Sequence, residues 1–245
     1  MSAVSSTIVG ERHGARAALL LAGLCVVGLA LTWVLADLVP ITHEKDAVAL
    51  YDFTRLNRPF VEAPANALLD LLYMPFYIAW GIVLVAIALR AGLPRVAVTL
   101  AIVIAVAPLS AELLKPLLAH PHDQIGSKYI TNASWPSGHA TAITILAWSA
   151  LLVASPSRRR AVAIAGVVLA VAVGCSLLIL AWHMPSDVLG GYLLATMWAA
   201  LALALLLSLG PRGSLRVVLR HSDRPARPRA HPEPIAPPLS HSQRG

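Results

Sequence analysis

Long apolar runs separated by short polar breaks occupy most of this 245-residue chain. A helix needs about 20 apolar residues to cross the hydrocarbon layer of a membrane. Six runs reach that length: residues 17–39, 66–89, 96–119, 136–155, 161–182 and 185–209. Between them lie a 26-residue polar loop after Val39, a "RAGLPR" turn, a loop around "HPHDQIGSKYITNAS", a "PSRRR" turn and a short "HMP" connection. The pattern predicts an all-α, polytopic membrane protein, a six-transmembrane-helix bundle. In the first long loop, residues 42–59 predict a short interfacial helix, with Val48, Leu50, Tyr51 and Phe53 as its apolar part.

Composition agrees. The chain is 58% hydrophobic and 13% charged, against about 25% charged in soluble domains. Its mean hydropathy is +0.72. One soluble core cannot absorb that much apolar surface, so the bilayer is the expected solvent.

The formal charge of +7 changes the picture less than its placement does. Of the 19 Lys and Arg residues, 14 fall on one side if both termini share it: Arg12, Arg16, Arg90, Arg95, Arg158 to Arg160 and the seven arginines after Gly210. Positive-inside orientation therefore predicts both termini in the cytoplasm. The loops carrying Lys115 to His139 and His183 then face outward, as for a bacterial inner (plasma) membrane with a site toward the periplasm or exterior. No basic, aromatic-interleaved patch is present, so nucleic acid is not an expected partner.

Three regions follow: residues 1–15 as a cytoplasmic N-terminal segment, 16–210 as the six-helix membrane domain, and 211–245 as an Arg/Pro-rich tail. The tail has almost no large apolar groups and is expected to be disordered. Cys25 and Cys175 both lie in apolar runs and read as core hydrophobes, not a disulfide pair. Leu24 before Cys25 argues against lipoprotein cleavage, and the first run is too long for a signal peptide. It reads as an uncleaved span.

Polar groups in or beside spans are costly and need a reason. Glu112, Lys115, Ser137, His139, His183 and Asp187 all fall near the outward ends of spans three to six, and Ser176 lies two turns deeper. In "NASWPSGHATA", Ser134 is the expected N-cap and Pro136 the first helical residue. The N–H groups of Ser137, Gly138 and His139 would then lack intrahelical partners, leaving an anion site at the positive end of the helix dipole. In "WHMPSDVLGG", Pro185 again suits a first turn, and Asp187 lies four residues after His183. A carboxylate there can accept the ring N–H and fix the tautomer. Helical spacing puts Ser176 and His183 on roughly one face of span five, and Lys115 can pair with Glu112 at i−3. The plain alternatives are ordinary helix caps for these motifs and a snorkelling lysine.

These residues resemble the type 2 phosphatidic acid phosphatase superfamily. Its three motifs are a lysine with Arg-Pro downstream, Pro-Ser-Gly-His, and Ser-Arg, five residues, His, three residues, Asp. Here Lys115 matches the first, Pro136 to His139 the second, and Ser176, His183 and Asp187 the third. The likeness spans about residues 112–191. It implies a metal-independent phosphatase without a cofactor, acting on a lipid phosphate at the outer membrane face. By resemblance, His183 attacks phosphorus and forms a phosphohistidine, oriented by Asp187. His139 protonates the leaving oxygen and later activates water. Lys115, Ser137 and Gly138 hold phosphate oxygens, with Ser176 beside them. The same likeness admits a transferase that passes the phosphoryl group to another lipid, or a non-catalytic lipid-binding relative.

Two arginines of that pattern are absent. Leu177 stands at the third-motif position, and "KPLLAHPHD" offers His120 or His122 in place of the first-motif arginine. Each charge-assisted hydrogen bond contributes about 1.5–3 kcal/mol, so both histidines join the expected phosphate-binding set, with Lys128 and Arg55 or Arg58 from the first outward loop as further candidates for the missing charge. An unperturbed histidine is charged only below a pKa of about 6.5. Activity is therefore expected to favour mildly acidic pH. Asn132-Ala133-Ser134 fits a glycosylation acceptor only as a short, common tripeptide. His139 and His183 lack a third metal ligand.

Overall fold

The computed structural model describes residues 2–119 and 132–209. His120, His122, Lys128 and the expected tail at 211–245 lie outside the described residues. Within them the fold is all-helical: α1 (Ser2–Trp33), continued by a π-helical turn (Val34–Leu38), α2 (Pro40–Thr54), α3 (Pro59–Asp70), α4 (Met74–Arg90), α5 (Pro94–Leu117), α6 (Gly138–Val153), α7 (Arg159–Ile179) and α8 (Pro185–Ser208). Proline sits in the first two positions of α2, α3, α4, α5 and α8. Its fixed φ suits a first turn, where its missing N–H costs nothing.

Four stretches are long and apolar enough to cross a membrane: His13–Leu38, Pro94–Leu117, Arg159–Ile179 and Pro185–Ser208. The expected single span at 66–89 is instead two helices, α3 and α4, bent by 56°. Pro75 is the cause. It cannot donate to the carbonyl of Leu71, four residues back, and its ring crowds that oxygen. Trp80 Nε1 donates to Leu71 O at 3.2 Å in its place. Inside α5, Pro108 likewise strips Ile104 O of its helical partner, and the Tyr77 hydroxyl on α4 donates to it at 2.5 Å. Two aromatic donors of α4 thus satisfy two proline-orphaned carbonyls. The stretch expected to be helical in the first long loop forms α2, with Leu50 fully buried and Val48 and Tyr51 exposed.

Helix α8 packs along α1 and against α6 and α5, while α6 also meets α7 and α5, and α4 lies on α5. Small residues permit this closeness: Gly190, Gly191, Ala195, Ala199, Ala202 and Ala204 are buried on α8. Without a hydrophobic drive between helices in lipid, such close backbone packing supplies the association. The outer faces stay apolar, with Leu20 and Val27 on α1, Ile82 on α4 and Val167 on α7 all exposed. The chain is therefore built as an integral membrane protein. At 16 residues α6 is shorter than the four stretches long enough to cross a membrane, and it enters the bundle at the site.

Candidate active site

The starts of α6 and α8 meet, and they are stitched together through backbone. Ser137 N–H donates to Asp187 O at 2.9 Å. The Thr141 hydroxyl donates to Ser137 O at 2.8 Å and reaches Gly191 O at 3.3 Å. A Cβ on Gly191 would stand 2.6 Å from Ser137 O and 2.7 Å from the Ala140 Cβ, so only glycine lets the helices approach this far.

This contact corrects the expected cap. Ser137, not Ser134, is the N-cap of α6, its hydroxyl accepting from Ala140 N at 3.4 Å, and Pro136 precedes the helix. The tertiary bond to Asp187 O fixes where the helix can begin. Ser137 N–H is thereby consumed, and Gly138 and His139 are left as the first-turn N–H groups without an intrahelical acceptor.

His183 follows a left-handed turn. Trp182 N donates to Leu177 O at 2.9 Å and Ala181 N to Leu178 O at 3.1 Å, closing α7 with Ala181 at φ 56°. Glycine usually fills that position. Because α7 ends at Ile179, His183 is not on it, and the expected shared face with Ser176 does not exist. Ser176 is buried inside α7, and its hydroxyl donates to Ala172 O at 2.9 Å.

The expected His183–Asp187 pair is made. His183 Nδ1 lies 3.1 Å from Asp187 Oδ2, and the same oxygen accepts Met184 N at 2.9 Å. The carboxylate thus caps α8 and orients the ring at once. With Nδ1–H donated to Asp187, Nε2 carries the free lone pair. Asp187 is 1% exposed and His183 9%, so the pair is shielded from bulk solvent.

A groove of about 1290 Å³ opens onto these residues. Lys115, Glu112, Gly138, His139 and His183 line its polar end, and Tyr77, Ile78, Ile82, Val85, Ile104 and Leu109 its apolar length between α4 and α5. Lys115 Nζ lies 2.6 Å from Glu112 Oε1, the i−3 pair expected from sequence. That carboxylate oxygen would be 2.7 Å from a Cβ on Gly138. His139 meets Trp182 edge to face, with centroids 5.7 Å apart. The structure thus brings Lys115, Gly138, His139 and His183 to one wall, with Asp187 behind. Ser137 is fully buried as the cap, and neither it nor Ser176 lines the groove. Leu177 is fully buried in the core. Among the described residues no group of three His, Cys, Asp or Glu side chains is placed to hold a metal.

One contact has no counterpart in the sequence reading. Asp46 on α2 accepts Ser186 N at 3.1 Å and the Ser186 hydroxyl at 2.6 Å, beside Asp187. Burial pushes the Asp46 carboxyl above its ordinary value, and the bonds from Ser186 draw it back in part. The available signal was faint. Asp46 lies four residues before Leu50, hence on the buried face of α2.

Residues 80–210 match the model of the PAP2 superfamily. Among solved structures, the chain is similar to "Crystal structure of the first transmembrane PAP2 type phosphatidylglycerolphosphate phosphatase from Bacillus subtilis". The TM-score is 0.59 and the identity 18%, covering 76% of this chain and 94% of that one. No curated protein matches it in sequence.

Proposed function

This chain belongs to the PAP2 superfamily, and on that premise we propose that it is a metal-independent lipid phosphatase. Its substrate is a lipid phosphomonoester or diphosphate, such as polyprenyl diphosphate or phosphatidate. The observation that carries the reading is the meeting of Lys115, His139 and His183 at the polar end of an apolar groove, with His183 Nδ1 on Asp187. The wall of that groove runs along α4 from Tyr73 to Leu89, about 24 Å at helical rise. That is most of a hydrocarbon layer of about 30 Å. A lipid tail fits such a wall while its phosphate reaches the histidines.

In this mechanism His183 Nε2 forms a bond to phosphorus as the ester or anhydride P–O bond breaks. His139 gives a proton to the leaving oxygen. Asp187 stabilises the charge that develops on the His183 ring. Water then attacks phosphorus, loses its proton to His139 and releases phosphate and neutral His183. Lys115 and the N–H groups of Gly138 and His139 hold the phosphate oxygens, since phosphoryl transfer rests on positioning and charge stabilisation. His120 and His122 add charge from the outward loop, and the buried Ser137 and Ser176 support the two helices. The bundle crosses the membrane six times with both termini in the cytoplasm, and residues 211–245 form a cytoplasmic tail.

A second reading, a lipid-phosphate binder without turnover, is favoured by one observation. Lys115 is the one Lys or Arg among the described residues lining the groove. Phosphate release from a panel of lipid phosphates in detergent, with and without EDTA, separates the readings. The phosphatase releases phosphate in both conditions, and His183→Ala ends it. No release by the wild type between pH 5 and 8 supports the binder, and loss with EDTA sinks the metal-free mechanism. Label passing to a second lipid instead of water identifies a transferase.

A further inference from the structure

We propose that Asp46 is a positioning residue for the His183–Asp187 pair, acting through Ser186 at the first turn of α8. The inference rests on the roles given to His183 and Asp187 above. The 3.1 Å separation of their side chains depends on where that first turn sits. Among the described residues, three sets of bonds hold it. Asp187 Oδ2 accepts from Met184 N, the N–H of Ser137 at the N-cap of α6 donates to Asp187 O, and Asp46 accepts from both donors of Ser186. Of these, Asp46 is the one anchor supplied from outside the motif-bearing helices.

Its own helix is well fixed. His43 Nδ1 bonds Ala36 O at 2.7 Å, the Thr42 hydroxyl bonds Leu35 O, and Leu50 is fully buried. Helix α2 therefore presents a carboxylate at a set height and clamps Ser186 by two bonds of different direction. Such a pair restrains rotation of the turn as well as translation. A carboxylate at a helix N-terminus is also favourably placed in the helix dipole. The titratable groups facing Asp46 are His43 on its own helix and Asp187 on α8.

The test uses the full chain in detergent and three variants. Asp46→Ala removes both bonds, Asp46→Asn keeps an acceptor and a donor in the same volume, and Ser186→Ala removes one bond. A misplacement on the ångström scale costs about 100-fold in rate. Asp46→Ala should therefore lower kcat by about 10- to 100-fold with KM changed less than about threefold, and Asp46→Asn should stay within about threefold of the wild type. In protein labelled with ¹⁵N-histidine, the Nδ1-bound proton of His183 should give a resonance in the wild type and in Asp46→Asn. It should be broadened by exchange in Asp46→Ala.

Unchanged kcat and an unchanged resonance in a folded Asp46→Ala protein overturn the proposal. Equal losses in the Ala and Asn variants also overturn it, because charge and not position is then what matters. If Asp46→Ala does not fold, Ser186→Ala decides: a loss of kcat supports the proposal and wild-type kcat overturns it. A wild type that turns over no lipid phosphate defeats the functional reading alone. The His183 resonance then still decides the positioning.

Discussion

The two sides of the groove head are built to different tolerances. On one side, His183 and Asp187 are buried, and the starts of α6 and α8 are joined by a backbone bond from Ser137 N–H to Asp187 O and by the Thr141 hydroxyl donating to Gly191 O. On the other, Lys115 in the last turn of α5, its side chain 19% exposed, is tied by one ion pair to a Glu112 side chain that is 58% exposed. Hydrogen bonds to backbone between two packed helices leave little freedom, whereas a lysine on a four-carbon stem follows its anion. In the proposed mechanism the rigid side would carry the in-line attack and the adaptable side the capture of a charged head group.

The largest test strikes the rigid side. Asp187→Asn keeps the shape but lets the ring take the wrong tautomer and loses the charge that stabilises it. In an analogous His–Asp pair that change lowers kcat by about 10⁴. Here kcat should fall by about 10³- to 10⁴-fold, read by single-turnover phosphate release. KM should move little. A loss under tenfold would mean that the pair only caps α8.

Lys115→Ala sharpens the contrast. Losing charge-assisted hydrogen bonds of about 1.5–3 kcal/mol predicts a 10- to 100-fold fall in kcat/KM. A substantial part should appear in KM, measured by steady-state kinetics on the best lipid phosphate. If KM stays constant while kcat collapses, Lys115 belongs with the rigid half after all.

Glu112→Gln tests the opposite direction. Glu112 Oε1 takes up the Lys115 ammonium and crowds Gly138, where the substrate's oxygens would lie. Removing its charge should tighten inhibition by inorganic phosphate or vanadate by a few-fold, about 1 kcal/mol or less for a partly exposed pair. Weaker inhibition would show that Glu112 serves only to hold Lys115 in place.

The smallest expected effect concerns stability. Ala181 holds a left-handed conformation two residues before His183, which costs about 1 kcal/mol for a residue with a Cβ. Ala181→Gly should raise the detergent Tm slightly, with the unfolded-chain entropy of glycine offsetting part of the gain. A lowered Tm would mean that the Ala181 methyl packs for more than the turn costs.

Much of the site was legible because its parts are local. Pro136 to His139 and His183 to Asp187 are short-range patterns, and a carboxylate four residues from a histidine is within reach on any helix start. The i−3 pair of Glu112 and Lys115 is local too. What failed was each inference that extended a helix through a position decided elsewhere. Span 66–89 broke because Pro75 leaves Leu71 O to Trp80. The shared face of Ser176 and His183 vanished because the chain turns at Ala181. The N-cap moved from Ser134 to Ser137 because Ser137 N–H is held by α8.

The apolar runs by themselves determined that the chain is helical and belongs in a membrane, since burial of backbone polar groups in hydrocarbon permits little else. The motifs singled out the residues to which the proposed mechanism gives chemistry. Only the tertiary structure decided that Lys115, Gly138, His139 and His183 face one groove, and that Asp46, 140 residues before Ser186, anchors the turn behind them. Periodicity reports which face of a helix is apolar. It does not report how two helix starts are set against each other, because small residues and hydrogen bonds from distant segments fix that distance.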